Sequence, residues 1–186
     1  MTNCKKKLDD GVPVQSTHSM PTQPQEILKT LDDLGVEYML YEHEAVFTVA
    51  DSQKVDAQIL AHHTRNMFLR TKKKENILVT LSHDTPIDLK KLEDVLGFKR
   101  FSFGSPDRLM EFLGVFPGSV TPLSVINANP NDIAIVLEER MMQADLVAFH
   151  PLINTMTVTL TPKDLLKFMD SVGHTPRIVD LSHASP

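Results

Sequence analysis

From residue 24 onward, apolar residues recur with two different spacings. In the first stretch, Ile27, Leu31 and Leu34 share one face of a helix, and Gly35 follows as a C-terminal cap. The same reasoning predicts further helices over 48–60, 88–96, 105–113 and from 161 onward. Apolar runs of strand length lie over 36–42, 66–70, 76–82, 133–137, 146–149, 156–160 and 177–181. Helices and strands therefore alternate in an irregular order.

Two stretches interrupt this pattern. Residues 1–23 are polar without an apolar period, which predicts a flexible tail before a single domain over 24–186. Residues 115–130 contain too much proline and glycine for a regular element. Since hairpins are mixed with helix-linked strands, we expect an α/β or α+β fold with a mixed sheet. In the helix over 48–60, Leu60 is a candidate core residue.

Composition narrows the class of protein. The chain has 186 residues, which suits one domain with its own core, and a single cysteine, Cys4, which excludes a disulfide scaffold. No apolar run approaches the ~18 residues of a membrane helix, and the lysines at 5–7 precede no apolar signal segment. We therefore expect a cytoplasmic protein that makes no contact with a membrane.

Basic charge is concentrated in one part of the chain. The formal net charge is −5, yet residues 65–108 hold ten basic and six acidic side chains. Such a cluster can contact the phosphates of a polyanion while the acidic remainder keeps the protein in solution. The alternative is a solvated hairpin turn and helix face, which is the commoner explanation of a charge run.

Several familiar reaction motifs are missing from the sequence. There is no Gly-x-Gly-x-x-Gly, Walker-type Gly-Lys-Ser/Thr, Gly-x-Ser-x-Gly or His-Glu-x-x-His. Cys4 lies in the polar tail and is a poor nucleophile candidate. His43, His62 and His63 do not form a convincing metal site, because adjacent histidines point in different directions and no further ligand has suitable spacing. We predict neither a metal nor an organic cofactor.

Four segments place polar or conformationally special residues beside apolar strands, over 41–48, 64–69, 117–122 and 149–155. Residues 118–122 (GSVTP) resemble the Gly-x-x-x-Pro loop of the YbaK/ProX (PrdX) family of aminoacyl-tRNA editing domains, and 64–69 (TRNMFL) resemble its Thr-Lys-Asn-Leu-Phe-Leu strand. The sequence FHP at 149–151 and Asn154-Thr155 also match. The resemblance extends over 24–181 and points to the freestanding, prolyl-tRNA synthetase-associated branch.

The resemblance implies an α/β (α+β) fold with a mixed, largely antiparallel or barrel-like sheet flanked by helices. It implies a trans-editing hydrolase of mischarged tRNA, most typically alanyl-tRNA(Pro), and leaves a prolyl-tRNA synthetase open as a second partner. A synthetase pocket for proline cannot exclude the smaller alanine, because a missing methylene changes binding by only about 1–3 kcal/mol. A second pocket that is too tight for proline completes the discrimination.

The resemblance also implies roles for particular residues. Catalysis would fall to Arg65, Gly118 and His150 around one cavity, with the N–H of Gly118 or Ser119 holding the oxyanion. Gly118 could instead serve only a tight turn, and His150 could be a core histidine. Substrate contacts are implied for Phe47, Thr48, Asn66, Ser119, Val120, Pro122, Asn154 and Thr155. Contacts to tRNA phosphates are expected from Arg70, Lys72, Lys73, Lys74, Lys99 and Arg100.

Arg65 is a departure, because the family usually has lysine at this position. An arginine can orient an ester or a phosphate, but it cannot lose its proton and act as a general base. If the lysine acts by positioning, Arg65 preserves activity. If a neutral amine is needed, the alternative is a non-catalytic module that keeps the fold and binds tRNA or a synthetase.

Overall fold

The structure is a computed structural model that describes residues 4–7, 22–45 and 55–186. The helices are α1 (Pro24–Asp33), α2 (Leu89–Leu96), α3 (Pro106–Leu113) and α4 (Pro162–Ser171). The strands are β1 (Cys4–Lys7), β2 (Met39–Glu42), β3 (His62–Arg70), β4 (Asn76–Ser82), β5 (Ser102–Phe103), β6 (Ile133–Glu138), β7 (Val147–Phe149), β8 (Met156–Leu160) and β9 (Arg177–Val179). Short 3-10 helices cover Pro122–Asn127, Met141–Gln143 and Ser182–Ala184.

Side-chain caps explain where the predicted helices begin. The Asp88 carboxylate accepts hydrogen bonds from the backbone N–H groups of Lys90 and Lys91 at 2.7 and 3.2 Å and starts α2. At α3 and α4 the caps are Ser105 and Thr161, and a proline follows each of them at the first helical position. These caps were visible in the sequence, so the predictions of α2, α3 and α4 are confirmed.

The strands form one open mixed sheet in the order β1-β2-β8-β7-β3-β4-β6-β9, with β5 paired to β3. The pairs β2–β8, β7–β8, β3–β4 and β3–β5 are antiparallel. The pairs β1–β2, β3–β7, β4–β6 and β6–β9 are parallel. The mixed α/β fold is thus confirmed, although among the described strands parallel pairs are as frequent as antiparallel ones.

Helices cover both faces of this sheet, and β3 shows the division. Phe68 packs into the larger core, which includes residues of α1, α3 and α4. Met67 and Leu69 point the opposite way, into a smaller core shared with α2 and the C-terminal 3-10 helix. Successive side chains of a strand alternate between faces, so neighbouring residues of β3 serve different cores.

Some elements differ from the sequence prediction. Cys4–Lys7 pair with the edge strand β2 in a stretch without an apolar period, because backbone groups of an edge strand can pair with any sequence. Leu60 is 91% exposed and not in the core, since the chain turns after Asp56 and Ile59 packs on Tyr41 instead. The proline-rich stretch contains a 3-10 helix that Thr121 caps. Across the described part of the chain, no helix has the length and apolar character needed to cross a membrane.

Candidate active site

A small cavity of about 60 Å³ lies where the start of β3 meets β7 and β8. Its described lining combines apolar groups with amide, hydroxyl, carboxylate and imidazole groups. These residues are Val55, Asp56, His63, Thr64, Asn66, His83, Ala148, Phe149, His150 and Thr157. An apolar cavity of about 150 Å³ accommodates benzene, so this one suits only a small chemical group.

A short parallel contact between β3 and β7 forms one wall of the cavity. His62 and His63 pair in register with Val147 and Ala148. The N–H of His62 donates to the Leu146 carbonyl at 2.8 Å, and the hydroxyl of Thr64 donates to the Ala148 carbonyl at 3.1 Å. This contact brings the segments 64–69 and 149–155, which are distant in the sequence, to the same place.

His150 follows β7 and lines the cavity. Its Nδ1 lies 2.8 Å from the Met156 carbonyl, which can only accept, so Nδ1 carries the proton and the Nε2 lone pair is the basic site of the neutral ring. Burial lowers the pKa of His150. The ring is therefore uncharged at neutral pH and able to accept a proton.

The His43 ring is a neighbour of the His150 ring, and the two ring centroids are 6.2 Å apart. Its Nδ1 donates to the Glu44 carbonyl at 2.7 Å, and its Nε2 accepts from the hydroxyl of Thr157 at 3.0 Å. Burial lowers the pKa of His43 as well. Two neutral imidazoles and a hydroxyl thus form this side of the site.

His63 has the opposite protonation state. Its Nδ1 is 3.0 Å from the Asp56 carboxylate and its Nε2 is 3.0 Å from the Ile59 carbonyl. Because both partners only accept hydrogen bonds, the ring satisfies both as an imidazolium. Burial lowers the pKa of His63, but the hydrogen bonds to Asp56 and Ile59 outweigh it, and the net pKa is raised.

Asn66 connects the cavity to the loop over 118–122. Its Nδ2 donates to the Val120 carbonyl at 2.8 Å, and its Oδ1 accepts from the Thr80 hydroxyl at 2.7 Å. Gly118 has a φ of 89°, a left-handed conformation that favours glycine, and an added Cβ would meet no atom within 4 Å. The left-handed conformation therefore accounts for a glycine at position 118.

The sequence predicted that Arg65, Gly118 and His150 surround one cavity, and the structure places the three residues differently relative to the described cavity. Arg65 lies on the face of β3 that carries Met67 and Leu69, and its guanidinium donates to the Thr85 carbonyl. The N–H of Ser119 donates to the Phe116 carbonyl at 3.0 Å, so in this arrangement it is not an oxyanion donor. Of the three predicted catalytic residues, the described cavity lining includes His150 and neither Arg65 nor Gly118.

Of the other predicted substrate contacts, some fall outside the described residues and others lie near the site. Phe47 and Thr48 lie outside the described residues. The Thr155 carbonyl accepts the N–H of His43 at 3.0 Å, so the turn over 151–155 supports the histidine pair. Pro122 is buried at the start of a 3-10 helix and shapes the loop from inside the core.

The predicted tRNA contacts gather at the far end of β3. Lys72, Lys73 and Lys74 are exposed at the β3–β4 turn, where the N–H of Lys72 donates to the Lys99 carbonyl at 3.3 Å. Arg100 is also exposed, and Arg70 is partly exposed at the end of β3. Lys72 follows Asn66 by six residues, which is about 20 Å along an extended strand. We call Arg70, Lys72, Lys73, Lys74, Lys99 and Arg100 the basic cluster.

Sequence reasoning missed the roles of Asp56, Thr157 and His63 in the cavity. Asp56 and His63 meet only because the chain turns over 57–61, and no periodic pattern marks that turn. Among the residues that the structure describes, no three His, Cys, Asp or Glu side chains are grouped closely enough to hold a metal ion.

Comparison with known proteins identifies the family. The model of the aminoacyl-tRNA editing domain matches residues 43–168, which include the cavity-lining residues. The chain belongs to this family, as the resemblance in the sequence predicted.

Individual proteins agree with this assignment. The prolyl-tRNA editing protein ProX of Acetoanaerobium sticklandii is 34% identical over 158 residues, which is 84% of this chain and 96% of that protein. The mouse prolyl-tRNA synthetase associated domain-containing protein 1 is 33% identical over 160 residues, 83% of this chain and 94% of its own length. A crystal structure described as a candidate trans-editing enzyme for prolyl-tRNA synthetase has the same fold, with a TM-score of 0.65 at 18% identity over 87% of this chain and 99% of that one.

The Asp56–His63 pair predicts a pH-dependent contribution to stability. Since the folded pKa of His63 is raised, the contribution is complete below the unfolded value of about 6.5 and is lost as pH rises through the folded value. Wild type should exceed His63→Gln in stability by about 1 kcal/mol near pH 6, and the difference should shrink at higher pH. Thermal unfolding of both proteins from pH 5.5 to 8.5 measures this, with His83→Gln, at an exposed histidine, as the control. An NMR titration that placed the pKa of His63 at or below about 6.5 would refute the pair.

Proposed function

We propose that this chain hydrolyses the ester of alanyl-tRNA(Pro) in trans, with tRNA as its partner and no cofactor. Family membership supports the coarser statement, an editing enzyme that deacylates mischarged tRNA. The observation that carries the finer statement is the size of the cavity, about 60 Å³, beside a neutral histidine. The name of the relative ProX supports prolyl-tRNA as the tRNA species concerned.

The cavity supports a sieve that selects by bulk. Val55, Ala148 and Phe149 supply apolar surface for a methyl group, and the β3–β7 contact fixes the wall opposite. A pyrrolidine ring is bulkier than a methyl group, and we propose that it does not fit between these groups. Proline, already bound well by the synthetase, would therefore be excluded here, and alanine would be admitted.

His150 is the group that we place at the chemistry. Its Nε2 lone pair can take the proton of the attacking water while the Met156 carbonyl holds the ring by Nδ1. Asn66 acts differently, because both ends of its amide are already used to hold Val120 and Thr80. It is a positioning residue that keeps the glycine loop against β3.

Selective deacylation tests this proposal. The wild-type protein should release alanine from alanyl-tRNA(Pro) and leave prolyl-tRNA(Pro) largely intact. His150→Asn can keep the hydrogen bond to Met156 but loses the Nε2 base, so its kcat should fall by about 10²-fold or more. Arg65→Lys should stay within a few fold of wild type, because the Arg65 guanidinium is bound by the Thr85 carbonyl and is not part of the described cavity lining.

A binding module without catalysis is the second candidate, and the observation that favours it is that Arg65 donates to the Thr85 carbonyl and is absent from the described cavity lining. The same assay separates the two functions. Hydrolysis by neither wild type nor Arg65→Lys, with retained tRNA binding, would establish the binding module. Hydrolysis by the lysine variant alone would indicate that the arginine has impaired an inherited site.

The basic cluster is proposed to contact acceptor-stem phosphates. It lies about 20 Å along β3 from the cavity, so the unpaired 3′ end of a tRNA would extend between the two sites. Because the whole chain has a net charge of −5, the basic cluster would attract phosphates only locally.

Removal of the basic cluster should weaken tRNA binding in a salt-dependent way. For the triple variant Lys72→Ala, Lys73→Ala and Lys74→Ala, the slope of log affinity against log salt should decrease by about 0.7–0.9 per lost phosphate contact. Single-turnover hydrolysis at saturating tRNA should be unchanged. The matched control replaces Lys29, Lys163 and Lys167, which are exposed on α1 and α4. Equal losses in the two triple variants would contradict a localised tRNA contact.

A further inference from the structure

An aminoacyl ester carries an α-ammonium group, which distinguishes it from an ordinary carboxylic ester. A site for such an ester gains both affinity and orientation from a negatively charged acceptor. Among the described residues that line the cavity, Asp56 is the one carboxylate. This inference rests on the proposed function and concerns how the same cavity recognises its substrate.

A hydrogen bond from His63 orients the Asp56 carboxylate, which can accept further hydrogen bonds. Its Oδ1 receives the Nδ1–H of His63 at 3.0 Å, and the Ile59 carbonyl fixes the other nitrogen of that ring. A carboxylate offers about four lone-pair positions, and among the side-chain hydrogen bonds between described residues this bond uses one of them. The Asp56 side chain is 29% exposed, so its remaining lone pairs can reach a bound group without being in bulk water.

His63 supplies one positive charge at this carboxylate, and the two other described imidazoles near it add none. His150 and His43 face the same region and are kept neutral by burial, although the negative charge of Asp56 acts on both rings. The guanidinium of Arg65 donates to the Thr85 carbonyl and is not in the described cavity lining. Of the described groups, His63 is the cation in contact with Asp56, and it orients the carboxylate.

We propose that the Asp56 carboxylate, positioned by His63, binds the α-ammonium group of the aminoacyl ester. The bound ammonium sets the direction of the amino acid, with the methyl side chain towards Val55, Ala148 and Phe149 and the ester towards His150. His63 is a positioning residue, and Asp56 is the residue that binds the amino group.

The test compares substrates with and without the positive charge. Wild type should hydrolyse alanyl-tRNA(Pro) at least about tenfold better, in kcat/KM, than N-acetylalanyl-tRNA(Pro), in which the nitrogen is a neutral amide. Asp56→Asn, which can still accept a hydrogen bond from His63, should lose most of this preference. Asp145→Asn, at an exposed acidic residue outside the cavity lining, should keep it.

Binding of stable analogues gives a reading that is independent of hydrolysis. In 3′-alanylamino-adenosine an amide replaces the ester, and its N-acetyl derivative lacks the positive charge. Tighter binding of the free amine by wild type but not by Asp56→Asn would support the proposal, even if no ester were hydrolysed and the proposed function failed. Equal binding of the two analogues by wild type, or an unchanged preference in Asp56→Asn, would overturn it.

Discussion

The site depends on the short parallel contact between β3 and β7. It joins the strands β2, β8 and β7 to the strands β4, β6 and β9, and it consists of two residue pairs with flanking hydrogen bonds. The bonds from His62 to Leu146 and from Thr64 to Ala148 hold β3 against β7 and fix this wall of the cavity. A rigid wall of paired backbone makes selection by size possible, because a wall of mobile side chains would yield to a larger group.

The surroundings of His150 and His63, two histidines at this wall, favour opposite protonation states of their rings. His150 donates to a carbonyl and is desolvated, which favours the neutral ring. His63 lies between a carboxylate and a carbonyl, which favours the imidazolium. Groups whose pKa values are separated by their environments are typical of sites that move protons. The arrangement places a neutral imidazole and an oriented carboxylate within one small cavity.

The sequence was most informative where local chemistry decides the structure. The helices predicted to begin at residues 88, 105 and 161 do begin there, capped by Asp88, Ser105 and Thr161, and the motif residues Asn66 and His150 lie together in the cavity lining. The sequence was least informative where the alternation of side chains between the two faces of a strand decides which residues meet. Arg65 and Asn66 are neighbours in the motif, but a strand sends them to opposite faces, and the hairpin register that fixes those faces is a tertiary property. Asp56 was missed because only the turn over 57–61 brings it to His63.

The central claim is that this cavity admits an alanyl group and excludes a prolyl one. The most direct measurement follows the imidazole NMR signals of all eight histidines while 3′-alanylamino-adenosine or its prolyl counterpart is added. We expect the alanyl compound to shift the signals of His63, His83 and His150 and to leave His174 and His183 unchanged, and we expect the prolyl compound to shift none of the three. Equal shifts with both compounds, or shifts confined to His174 and His183, would contradict it.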